Sequence, residues 1–112
     1  MNPYYEPEKM ALQMVAFDEQ DMCYAFNTLC FWATDDGKVY TAKDSGCSCP
    51  TPFEDHDHST RDEVLQSLER VGSVDQALAT YDAWAREIEA SARPDHATRR
   101  ELAEFVTKHL MP

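Results

Sequence analysis

The feature that most constrains the fold is residues 44–58, a segment that separates two kinds of sequence. Its fifteen residues, DSGCSCPTPFEDHDH, hold two of the four cysteines, two of the four histidines, four carboxylates and two prolines. Before it the pattern is typical of strands, and after it the pattern is typical of helices. The sequence therefore predicts one α+β domain, in which residues 1–43 form a sheet half, 44–59 a rigid Cys/Pro-rich joint and 60–112 a helical half.

The sheet half predicts a three-stranded antiparallel meander. Residues 1–7 contain Pro3 and Pro7 and are expected to be extended, because proline disfavours helical backbone in the residue before it. Helical spacing of Met10, Met14 and Phe17 leaves a helix as the alternative for the first strand. The strands are expected at Met10–Phe17, Met22–Thr34 and Lys38–Ala42, with a polar turn at Asp18–Asp21 and a tight hairpin at Asp35–Gly37.

The helical half predicts three helices packed on this sheet. Thr60 and Glu63 have the spacing of a capping box, and Gly72 is placed to end the first helix in a left-handed conformation. Ser73 repeats the capping pattern for a second helix, and Pro94 suits the first turn of a third. The buried face of the first helix is expected to consist of Val64, Leu65, Leu68 and Val71.

Charge excludes two classes of partner. The 112 residues carry a net charge of −11, and residues 1–69 have 14 acids and 4 bases whereas residues 70–112 have 7 and 6. Nucleic acids and anionic membranes bind through clustered Lys and Arg, which this chain lacks, so a protein with a basic surface is the expected partner. Neither a long apolar run nor a signal peptide is present, which predicts a cytoplasmic protein with reduced thiols.

The joint has two chemical interpretations besides a rigid turn. Cys47, Cys49, His56 and His58 supply four zinc ligands, but a C-x-C pair departs from the spacing of common zinc sites. A cysteine thiolate beside an imidazolium would be a nucleophile, yet no third orienting residue or oxyanion-hole motif accompanies it. We therefore predict no cofactor and no catalytic residue, and keep zinc or a thiol-dependent enzyme as the alternative.

Aromatic side chains on both faces of the sheet need cover on both faces. Three helices are expected to shield one face, so the other would leave an apolar patch suited to a partner or a homodimer. Acids in the turns would form its rim. The predicted binding residues are Trp32, Asp35, Asp36, Tyr40, Phe53, Glu54 and Asp55.

The stretch from Val39 to Asp55, VYTAKDSGCSCPTPFED, resembles a motif of short uncharacterised proteins of actinobacterial bacteriophages. The resemblance reaches back to Trp32 and does not include the three helices. It implies a phage accessory product that works in the cytoplasm of a bacterial host, and it brings no known catalytic residues to carry over. The function we expect is therefore non-enzymatic binding and modulation of a host protein, with a minor structural virion component as a further alternative.

Overall fold

Four antiparallel strands form one sheet in the computed structural model, which describes residues 1–20, 25–47, 53–88 and 96–110. The strands follow one another across the sheet in chain order, so β2 and β3 are central. The α+β class is confirmed, but the prediction of three strands is wrong. The strands are β1 (Gln13–Gln20), β2 (Ala25–Ala33), β3 (Val39–Cys47) and β4 (Glu69–Val71).

Three α-helices accompany the sheet: α1 (Arg61–Ser67), α2 (Val74–Ile88) and α3 (His96–His109). The predicted N-terminal caps of α1 and α2 are present, since the Thr60 hydroxyl accepts from the Glu63 amide at 3.2 Å and the Ser73 hydroxyl accepts from the Gln76 amide at 3.1 Å. Pro94, expected in the first turn of α3, lies outside the described residues. Within the described ranges, no helix is both long and apolar enough to cross a bilayer.

The fourth strand replaces the end of the predicted first helix. Helix α1 ends at Ser67 because Leu68 is extended, with φ −95° and ψ 158°, and residues 69–71 then pair with Val39–Thr41. Leu68 and Val71 have helical spacing, yet they pack into two different apolar clusters. Gly72 is therefore not the left-handed end of a helix.

The N-terminal segment folds back on itself, which corrects the expectation that residues 1–7 are extended. The Asn2 side-chain oxygen accepts from the Tyr4 amide at 2.8 Å, a local bond that favours a turn. Pro7 then opens a 3-10 helix, Pro7–Met10, where its fixed φ fits the first position. Strand β1 accordingly begins at Gln13, three residues later than predicted.

The turns between strands fall partly as predicted. The hairpin at residues 34–38 is confirmed, and Gly37 has the φ of 87° that glycine adopts without strain. Asp18–Gln20 belong to β1 instead of a polar turn, and Asp21 lies outside the described residues. β3 continues through Gly46 and Cys47, because both pair with β2, so the sheet extends into the predicted joint.

Both faces of the sheet are covered, contrary to the expectation that one would remain open. Helices α2 and α3 pack on the first face, whereas the N-terminal segment, Phe53 and α1 pack on the second. Alternation along β2 sends Phe31 to the first face and Trp32 to the second. The first face includes Leu29, Phe31, Val39, Val71, Tyr81, Trp84, Leu102 and Val106, and the second Met10, Leu12, Cys30, Trp32, Tyr40, Phe53, Val64 and Leu68.

Candidate functional site

The three aromatic members of the predicted site lie in the second-face core. Trp32 and Phe53 are 0% exposed and Tyr40 is 8% exposed. The Trp32 indole donates to the Pro3 carbonyl at 2.9 Å, and Tyr40 pairs with Trp32 across the sheet. These side chains stabilise the domain, and a partner does not reach Trp32 or Phe53 without opening it.

Phe53 is the centre of this packing. Its ring stacks on Tyr4 at 5.5 Å between centroids and lies nearly perpendicular to the Trp32 ring at 5.6 Å between centroids. Its φ is +61°, a conformation that costs a residue with a Cβ about 1–2 kcal/mol. The Phe53 amide donates to the Asp44 carboxylate at 2.7 Å, which fixes the strained backbone to β3.

The first predicted carboxylate pair lies at the tip of the β2–β3 hairpin. Asp35 and Asp36 are both exposed. Asp36 accepts from the Thr34 hydroxyl and lies 3.7 Å from the Lys38 ammonium. The Thr34 hydrogen bond, and to a lesser degree the Lys38 charge, lowers the pKa of Asp36. Asp36 is therefore held in its charged form, although the Lys38 ammonium partly neutralises that charge.

The second pair, Glu54 and Asp55, opens a short 3-10 helix, Glu54–His56, directly after Phe53. Exposed acids continue to the first turn of α1, and we call residues 54–63 the acidic segment. Its five exposed carboxylates are those of Glu54, Asp55, Asp57, Asp62 and Glu63. Asp57 binds the Met1 amino group at 2.9 Å, whereas the other four form no ion pair within the described residues.

The Cys and His residues of the joint are described only in part. Cys47 is a residue of β3, whereas Cys49 lies outside the described residues. Across the described ranges, no three His, Cys, Asp or Glu side chains are grouped as a metal site would require. The zinc alternative includes Cys49, so it stays a prediction.

His56 contacts a serine that sequence reasoning did not single out. Its Nδ1 lies 3.0 Å from the Ser67 hydroxyl, which donates to the Val64 carbonyl at 2.6 Å. A hydroxyl has one proton, so His56 is the donor in this pair and does not act as a base toward Ser67. The contact fixes the acidic segment to α1 and does not activate a nucleophile.

Burial lowers the pKa of His56, although the nearby Asp44 and Asp55 carboxylates oppose the shift. Because the histidine pKa is lower in the folded protein than in the unfolded chain, folding favours the neutral imidazole. The stability that depends on this neutral form is fully present above the ordinary pKa of about 6.5, and it is lost as the pH falls from there toward the folded pKa. We expect the melting temperature to fall between about pH 7.5 and about pH 5. Thermal unfolding across this range, followed by circular dichroism, measures the slope.

The His56→Gln variant keeps a polar contact with Ser67 but does not titrate, so we expect a smaller slope. His109, whose pKa is lowered by burial and by Lys108, accounts for a remainder. The carboxyl pKa values of Glu6 and Asp36 are lowered from ordinary values that already lie below this range. An unchanged slope in His56→Gln would contradict the assignment.

Comparison with known proteins identifies a family but finds no match among curated proteins or solved structures. A family model described as "Domain of unknown function (DUF7574)" matches residues 1–109.

Proposed function

The chain belongs to the family described as "Domain of unknown function (DUF7574)", which brings no activity with it, and we therefore propose a function from the protein's own surface. The protein is a small non-enzymatic binding protein that recognises a basic surface on a protein partner. Its contact is electrostatic and centres on the acidic segment and the adjacent hairpin acids.

The observation that carries this proposal is the unneutralised charge of the acidic segment. Ten residues expose five carboxylates against one base, Arg61, and four of the five have no ion pair within the described residues. Concentrated charge of one sign attracts an oppositely charged surface over distance and accelerates encounter. If these acids served only to keep the protein soluble, we would expect acidic and basic residues to alternate more evenly along the segment.

Burial of the aromatic residues decides what kind of contact this is. Trp32 and Phe53 belong to the core, and within the described residues Tyr5, at 55% exposure, is the large hydrophobic side chain that faces solvent. An interface without a buried aromatic anchor relies on rim charges, which mainly set the rate of association. The homodimer was expected to form through an open face of the sheet. Both faces are covered, so the proposed contact does not use a sheet face.

Two further points define the proposal. The non-enzymatic part is supported by the direction of the His56–Ser67 hydrogen bond, which leaves the serine hydroxyl committed to a backbone carbonyl. The setting is supported by the resemblance of residues 39–55 to proteins of actinobacterial phages. The partner we propose is a cytoplasmic protein of the bacterial host that the phage protein modulates.

The test compares charge reversal at the acidic segment with the same reversal elsewhere. A partner is first captured from host cells with the purified protein and identified by mass spectrometry. Association rates are then measured by surface plasmon resonance at low and high salt. Glu54→Lys with Asp55→Lys is expected to slow association several-fold at low salt, because steering depends on unscreened charge.

Glu101→Lys with Glu104→Lys is the matched control. Both residues are exposed on α3, and this pair of reversals changes the net charge by the same amount. We expect little effect from it, and a smaller difference between the two double variants at high salt. Equal slowing by both, or association rates that ignore salt, would mean that the acidic segment serves solubility alone.

A further inference from the structure

A groove between α1, the β2–β3 hairpin and β4 is lined by three basic side chains. Its volume is about 410 Å³, which lies in the range of small-molecule sites. The strand wall includes Lys38, Tyr40 and Arg70, and the helix wall includes Arg61, Asp62 and Leu65. Three of the chain's ten Lys and Arg residues therefore line one cavity of a protein with a net charge of −11.

Arg61 is oriented by a contact that leaves its charge in place. Its Nε donates to the Met10 carbonyl at 2.8 Å, which fixes the guanidinium plane. A neutral carbonyl does not balance the positive charge, and within the described residues the terminal nitrogens of Arg61 form no ion pair. Arg61 thus presents the two-nitrogen fork that binds oxyanions in a bidentate manner.

Arg70 is oriented in a second, independent way. Its guanidinium carbon lies 5.3 Å from the centre of the Tyr40 ring, and the pairing of Arg70 with Tyr40 across β3 and β4 fixes this position. The aromatic ring also leaves the charge unbalanced, and the described part of the chain gives Arg70 no carboxylate partner. Lys38 differs, because its ammonium lies 3.7 Å from Asp36.

We propose that this groove binds a small molecule that carries a phosphate monoester. Two oriented guanidinium groups that have no carboxylate partner among the described residues match the charge of a phosphate monoester, which approaches −2 near neutral pH. Leu65 and Leu68 supply an apolar floor for the organic part of the ligand. Arg61 and Asp62 of the acidic segment line this groove, but the proposal rests on the two guanidinium groups and does not depend on the proposed protein partner.

The acids around the groove restrict the ligand to a small one. Asp36 and Asp62 line the same cavity, and Glu63 and Glu69 are exposed beside residues that line it. A polyanion such as a nucleic acid would extend past the two arginines and meet these carboxylates. A single phosphate held in the cavity that both arginines line would avoid that cost.

The test uses phenyl phosphate as the probe, added to the full chain at pH 8 and constant ionic strength. Binding is followed by NMR through the backbone amides and the arginine Nε–H groups. We expect saturable shifts centred on Tyr40, Arg61 and Arg70, with a dissociation constant on the order of 1 mM or tighter. Inorganic phosphate is expected to bind more weakly, and equal affinity would overturn the assignment to an organic ester.

Arg70→Gln is expected to weaken binding about tenfold or more, because one charge-assisted fork is lost. Arg70 is exposed, so this variant should fold even if Arg61→Gln, which also loses the Met10 contact, does not. Arg70→Lys restores charge without the fork and should recover only part of the affinity. Full recovery would overturn bidentate recognition.

Arg100→Gln is the control, because Arg100 is exposed on α3 and the same charge is lost there. Its affinity should equal that of the wild type. Absence of saturable shifts, an unchanged affinity in Arg70→Gln, or an equal loss in Arg100→Gln would overturn the site. Tighter binding of a phosphoserine peptide than of phenyl phosphate would also overturn it, in favour of a protein ligand.

Discussion

Replacing Phe53 with alanine is expected to lower the free energy of unfolding by about 3–5 kcal/mol, the cost of removing a large buried aromatic ring. Phe53 is fully buried and packs between Tyr4 and Trp32, so truncation empties the centre of the second-face core. Alanine also has a Cβ, so the strain of the positive φ remains and offsets none of the loss. Such a loss is a large share of the stability of a small domain.

Trp32 provides a local readout for this variant. In a Trp84→Phe background Trp32 is the single tryptophan, because the chain has two. Phe53→Ala should shift its fluorescence emission to the red and lower the urea midpoint, whereas Phe53→Leu should retain most of the stability. A loss below about 1 kcal/mol with unchanged emission would show that Phe53 does not anchor this face.

Replacing Phe31 with alanine is expected to cost a similar 3–5 kcal/mol on the opposite face of the sheet. Phe31 is fully buried beneath α2 and α3, and its ring lies 6.4 Å from that of Phe17. Urea unfolding by circular dichroism gives the loss. Hydrogen exchange should show that the amides of α2 and α3 lose protection first, because Phe31 supports these helices and not α1.

Phe105→Ala is the matched control for Phe31→Ala. Phe105 packs against the same cluster but is only partly buried, so the same truncation should cost about half as much or less. Equal losses at the two positions would mean that burial does not set the cost, and that the first-face core is looser than its packing indicates.

Local signals in the sequence were sufficient for the hairpin and for the starts of two helices. Residues 35–37 tolerate the backbone conformation of the turn. Thr60 and Ser73 cap α1 and α2 through hydrogen bonds to amides only three positions further along the chain. The fourth strand gave no local signal. The strand forms because Val71 pairs with Val39, which lies 32 positions earlier in the chain. The spacing of three between Leu68 and Val71 is also typical of a helix.

The candidate sites divide in the same way. The acids of the acidic segment could be predicted as a group because they are adjacent in sequence. The buried state of Trp32 and Phe53 depends on the N-terminal segment folding over them, which a pattern of prolines did not indicate. Arg61 and Arg70 are unremarkable in sequence, and they come together only because α1 stops at Ser67 and the chain returns along the sheet.

The position of β4 between two helices also determines the order in which the sheet is completed during synthesis. A nascent chain that has emerged as far as α1 already contains β1, β2 and β3, but residues 39–41 still present open backbone donors and acceptors. Open strand edges are templates for pairing with another chain. A nascent chain that has emerged only through Ser67 therefore exposes an unpaired edge at residues 39–41, and the emergence of Glu69–Val71 covers that part of the edge.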